Sequence, residues 1–220
     1  MGLHLFNYIQ MLALLTSILC LRGLFKTPYL YFFPFLLLMV LASFAQLYTG
    51  QQHSVALSNG IFNVTAIIEF IFFYFLLFKA IKKKLFKKII LVLTVIYIIS
   101  SVIDIAFVQG IQNVNSYAMF IGTVEIMVAV FFYFYDAFEN ADPGYLITEP
   151  MFLISIGIFL FYLGDFTYNL MYPYLQRNNL QREKQLFIHI NHHLNVLEYL
   201  CIIIGLIICS RNNLASKQQL

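Results

Sequence analysis

Residues 187–210 read FIHINHHLNVLEYLCIIIGLIICS, and this stretch decides what kind of protein the chain is. Its second half is almost entirely apolar, and the whole is long enough to cross a bilayer, which takes about 20 residues of helix. Its first half sets His189, Asn191, His192, His193, Asn195 and Glu198 into the same run. Ionisable groups inside a membrane span are costly and are a functional hypothesis by default.

Working outward, the remaining sequence has the same character. The 220 residues are 61% hydrophobic and 10% charged, with a mean hydropathy of +0.83. That composition lies far from the soluble range. It predicts an all-α polytopic membrane bundle, a single seven-helix domain over residues 1–220. Spans are expected at about 5–25, 29–48, 59–79, 87–108, 115–136, 150–172 and 186–209. Such spans leave no length for a separate catalytic or signalling domain. The first apolar run lacks a basic leader and a small-residue cleavage site, so it is expected to stay as a helix. Cys20, Cys201 and Cys209 all fall in apolar runs, where packing is the default use of a cysteine.

The basic residues set the orientation. Lys79, Lys82, Lys83, Lys84, Lys87 and Lys88 crowd the loop after the third span. Cytoplasmic loops keep positive charge, which puts that loop inside, together with Arg22, Lys26, Arg211 and Lys217. Arg177, Arg182 and Lys184 fall outside. The N-terminus is then external and the C-terminus internal. The lysine run fits anionic lipid headgroups, chiefly through Lys82, Lys83, Lys84, Lys87 and Lys88, or else a cytoplasmic partner; nothing in the pattern points to nucleic acid. The loop after the fifth span is acidic, with Asp136, Glu139, Asp142 and Glu149 and a turn signal at Asp142-Pro143-Gly144.

With this orientation most intramembrane polar groups fall in the outer half. Glu69 and Glu125 are about ten residues into their spans, while Asp104, Asp165, Asn169 and Gln46 approach the outer ends. Tyr162, Asp165, Asn169 and Tyr172 form one stripe, as do Tyr97, Ser100, Ser101 and Asp104; Thr65 and Glu69 are one turn apart. In the last span Asn191, Asn195 and Glu198 share a side. His189 and His193 lie roughly opposite, towards the periphery, with His192 between. The expected ligand-binding set is Glu69, Asp104, Glu125, Asp165, Asn169, Asn191, Asn195 and Glu198, gathered in an acidic cavity that opens outward. No Lys or Arg falls in the interior of those spans to neutralise it.

His189-x-x-x-His193 is a helical metal-ligand spacing. It resembles the last helix of ceramidase-like and progestin-receptor-like membrane hydrolases, which also supply a histidine, a serine and an aspartate from earlier helices. Here the earlier spans hold no histidine; His4 and His53 fall at the terminus and in an outer loop. No catalytic residue is assigned, and zinc on His189 and His193 remains the lesser alternative. Retinal proteins need a lysine in the last span, and none falls within 186–209. Sweet-type and PQ-loop transporters share the length and orientation, and their repeat would suit the Asn63/Glu69 and Asn195/Glu198 pairs of spans three and seven. No Pro-Gln pair occurs in the chain.

The segments Asn63-Val-Thr-Ala-Ile-Ile-Glu69, Glu149-Pro150-Met-Phe, Tyr162-x-Gly164-Asp165 and 190–205 resemble a family of uncharacterised bacterial seven-span integral membrane proteins. Asp165 and Glu198 stand where that pattern has asparagine, so this chain is more acidic than the type. The resemblance implies a multi-pass protein of the bacterial inner membrane that acts as a sensor or regulatory component with a partner. A proton- or cation-coupled transporter and a metal-dependent intramembrane hydrolase are the alternatives.

Overall fold

In a computed structural model the chain is described over residues 5–51, 54–140, 146, 148–178 and 181–218, and these are almost wholly helical, without a strand. His4, His53 and the Asp142-Pro143-Gly144 turn lie outside the described residues, as do the side chains of Tyr172, Arg177, Lys184 and Lys217. The helices are α1 (Leu5–Leu19), α2 (Phe32–Gln51), α3 (Val55–Ala80), α4 (Lys84–Ile103), α5 (Ser116–Asn140), α6 (Pro150–Arg177) and α7 (Gln181–Gln218). Among the described residues six apolar stretches are long enough to cross a membrane: Pro28–Gly50, Val55–Ala80, Lys84–Val108, Ser116–Asn140, Pro150–Met171 and Gln185–Ala215. These match six of the expected spans to within a few residues.

At the first expected span the helix is shorter than the spacing predicts. Helix α1 has 15 residues, about 22 Å at 1.5 Å per residue, against a hydrocarbon core of about 30 Å. The chain loosens at Cys20, whose carbonyl accepts both the Gly23 and the Leu24 N–H, and a separate turn follows at Leu21–Leu24. Lys26 then takes a left-handed φ of 71°, and Pro28–Tyr31 forms a 3₁₀ turn that runs into α2.

Local chemistry fixes the other ends. Pro150 opens α6, where a missing N–H removes no helical bond. The Asp136 carboxylate accepts the N–H of Lys82 at 2.7 Å and of Lys83 at 3.1 Å, satisfying donors orphaned at the start of α4. At its far end α4 widens into a π turn, Asp104–Val108. There Asp104 accepts the Ala118 N–H at 3.0 Å and so holds the first turn of α5.

The main contacts run α1 to α2, α2 to α3, α3 to α5, α5 to α6, α6 to α7, and α7 back to α1. Six helices thus close a ring, and α4 packs outside it against α3 and α5. That explains its sidedness: Tyr97 and Ser101 are buried, whereas Leu91, Val92, Val95, Ile99 and Val102 are exposed as a lipid-facing surface. The most extensive seam is α6 on α7, where Gly157 faces the Glu198 backbone and the Cys201 side chain and Gly205 faces Ile154. Small residues admit that approach, as in membrane bundles generally. Inside the ring, the Tyr162 ring reaches from α6 to Phe70 and Phe73 of α3, at centroid distances of 5.0 and 6.3 Å.

Candidate functional site

A cavity of about 300 Å³ occupies the end of the bundle that carries the start of α1 and the α2–α3 and α6–α7 connections. Five helices build it. Phe6 and Gln10 come from α1, Ser43 and Gln46 from α2, Thr65 and Glu69 from α3, Phe161 and Tyr168 from α6, and Asn191, His192, Asn195 and Tyr199 from α7. Its lining contains no Lys or Arg among the described residues. The lysines of the α3–α4 connection lie at the opposite end of the bundle.

Hydrogen bonds set the walls. Ser43 Oγ donates to Gln10 Oε1 at 2.8 Å, and Gln10 Nε2 donates to the Tyr199 hydroxyl oxygen at 2.9 Å, tying α2, α1 and α7 together. Tyr162 Oη donates to Glu69 Oε1 at 3.1 Å. Asp165 accepts from Thr123 Oγ1 at 3.1 Å and from Asn169 Nδ2 at 3.0 Å, with Asn191 Nδ2 at 3.5 Å. The Asp165 carboxylate takes the Asn191 NH₂, and Asn191 Oδ1 lies towards Gly164 of α6. Asn191 Oδ1, Asn195 Oδ1 and Glu198 Oε1 are buried without a hydrogen-bond partner among the described residues. Glu198 is 2% exposed, and its carboxylate lies within electrostatic reach of Glu69, as does Asp165.

The expected set of eight divides in two. Glu69, Asn191 and Asn195 line the cavity; Glu198, Asp165 and Asn169 stand directly behind that lining. Asp104 and Glu125 do not join them. Asp104 is occupied at the α5 N-terminus, and Glu125 accepts from Tyr74 Oη at 3.3 Å on the face that packs towards α4. The reason is the ring: α4 sits outside it, so its polar stripe turns to α3 and α5, away from the cavity.

His189 and His193 are exposed, whereas His192 lines the cavity with its ring 5.5 Å from Phe6. Among the described residues no three His, Cys, Asp or Glu side chains are grouped to hold a metal ion. Gln10 and Ser43 were missed by the sequence reading. The signal was present in α1, where Asn7 and Gln10, at i and i+3, are 3% and 5% exposed. Two polar residues on one stripe of an apolar helix face the interior.

At the basic end, Lys83 Nζ pairs with Glu139, and its hydrogen bond to that carboxylate raises the ammonium pKa. The Glu149 carboxyl, just before α6, is pushed up by burial, a shift that the Lys82 charge opposes. At this end Asp136 holds the backbone entering α4, beside the Lys83–Glu139 ion pair.

No protein-family model, curated protein or solved structure matches the chain. What the fold defines is a multi-pass helical membrane protein with a polar cavity buried at one end.

Proposed function

We propose that this is a membrane sensor or regulatory protein of a bacterial inner membrane. It binds a small cationic ligand in the polar cavity and reports occupancy to a cytoplasmic partner at the lysine-rich end. In this reading α1 is a seventh, shortened span, the N-terminus is outside and the C-terminus inside, so the cavity faces outward. The observation that carries the reading is the convergence of Glu69, Asn191 and Asn195 on one cavity whose lining holds no Lys or Arg among the described residues. A ligand that brings hydrogen-bond donors and positive charge complements that lining, and Phe6, Phe62, Phe161 and Tyr168 add the aromatic surface that organic cations favour.

The test is equilibrium binding to the full chain in lipid nanodiscs, with butylamine, ammonium, sodium and potassium as probes. Saturable binding of at least one, lost in Glu69→Gln, is expected. No saturable binding by any of the four would overturn the reading.

One observation favours a second reading. Glu69 in the cavity wall and the buried Glu198 behind it are within electrostatic reach of each other, an arrangement a proton- or cation-coupled transporter would use. A cation flux in liposomes that Glu198→Gln abolishes would support transport; flux that persists unchanged would remove Glu198 from coupling.

A further inference from the structure

A second hollow, apolar and about 940 Å³, runs down the outside of the α2–α3 seam from Pro34 to Ser54 and Gly60. Its walls are Leu37, Leu41, Leu57 and Val64, all substantially exposed on the outer surface of the ring. The two hollows meet: Ala42 and Thr65 line both the apolar groove and the polar cavity. Small side chains stand at this junction, with Ala45 and Gly60 beside it. A methyl group added at Gly60 would meet nothing nearer than the Ile111 carbonyl oxygen at 3.7 Å, so the groove is open there rather than filled.

Bilayer hydrocarbon alone would seat in the groove, but it has no reason to reach the junction. The polar side has. Glu69 is one turn from Thr65 on α3, beside the junction, and its carboxyl group lines the cavity with no Lys or Arg among the described lining residues. From Ala42 to Pro34 the groove offers about 12 Å along α2 at 1.5 Å per residue. That length suits an alkyl chain.

We propose that the ligand is a single-chain amphiphile with a cationic amine head, which enters sideways from the bilayer between α2 and α3. The ammonium sits in the cavity against Glu69, and the chain lies along the seam towards Pro34. This rests on the cavity reading above and adds to it the ligand's chain and its route. A neutral or anionic amphiphile of the same chain lacks the head that the cavity selects, because like charge or an unmet carboxylate opposes it.

The experiment uses the full chain in nanodiscs and two probes: butylamine, which has the head alone, and dodecylamine carrying a diazirine at the chain end. Photolabelling is mapped by peptide mass spectrometry. Expected are adducts on α2 and α3 at the seam, competed by excess butylamine and reduced at least about tenfold in Glu69→Gln, the scale of one lost charged contact. Gly60→Leu and Val64→Phe fill the groove outside the cavity. Both should cut dodecylamine labelling while leaving butylamine affinity unchanged. The proposal is overturned if the corresponding diazirine alcohol labels the seam as strongly as the amine, or if the groove variants leave labelling intact. Saturable butylamine binding without seam labelling would overturn the amphiphile and spare the cavity reading. Failure of both probes to bind would overturn both.

Discussion

Tyr162 of α6 donates its hydroxyl to Glu69 of α3 across 3.1 Å, while its ring packs on Phe70 and Phe73 one turn along the same helix. One side chain thus does two jobs: it closes the apolar middle of the ring and it orients the carboxylate that lines the cavity. The two are separable. Tyr162→Phe keeps the ring and removes the donor. We expect a loss of about 1–2 kcal/mol in unfolding free energy, measured in nanodiscs or mild detergent. A double-mutant cycle with Glu69→Gln should return most of that as coupling. Purely additive losses would mean the contact contributes nothing.

Asn63 is fully buried and spans the gap between α3 and the segment before α5. Its Nδ2 donates to the carbonyls of Asn113 at 2.7 Å and Ile111 at 3.2 Å, and its Oδ1 accepts the Asn115 N–H at 3.1 Å. Asn63→Ala removes the partner of all three backbone groups, of which the Asn115 N–H is buried. A loss of about 2–3 kcal/mol is expected, with faster amide exchange confined to residues 109–116. Unchanged exchange there would show that the connection holds itself.

Much of the fold could be read from the sequence, and the reasons it could are physical. Apolar length and the lysine-rich connection locate six spans because lipid imposes a minimum length and polar residues cannot hide in it. The cavity was half legible. Asn191 and Asn195 follow from the facing of α7 once Glu198 is taken as its inner side. What periodicity cannot give is which helices are neighbours. Asp104 and Glu125 have the same polar signature as Glu69, yet α4 lies outside the ring and takes their face with it. Gln10 shows the converse. Asn7 and Gln10 mark one stripe of α1, but only the packing of α2 and α7 supplies Ser43 and Tyr199 as the partners of Gln10.

Gly157 tests the α6–α7 seam. A Cβ there would meet Cys201 Cβ at 2.8 Å and Glu198 Cα at 3.1 Å, and the second of these is backbone that cannot rotate away. Gly157→Ala must therefore push α7 off α6 at the level of Glu198. Overpacking of this kind destabilises by about 1–3 kcal/mol. Because the shift moves Glu198 as well, amine binding should weaken along with stability. A variant that loses stability but binds as before would place the ligand away from α7.

Glu149 gives the pH dependence. Burial raises its pKa above the ordinary carboxylate range, with the Lys82 charge opposing. The folded state then holds this proton more tightly than the unfolded chain does. Stability from this group is greatest below the unfolded-state pKa, falls as pH rises from there through the folded value, and stays at its lower level above it. Glu149→Gln removes the penalty, so the variant should exceed the parent in stability at neutral pH and converge with it near about pH 4. Partial solvent access keeps the difference small. Lys82→Met should act in the opposite sense by removing the opposing charge, which extends the window upward. Unfolding followed across this range in the three proteins decides the matter: a parent whose stability relative to Glu149→Gln rises with pH would show that Lys82 outweighs burial.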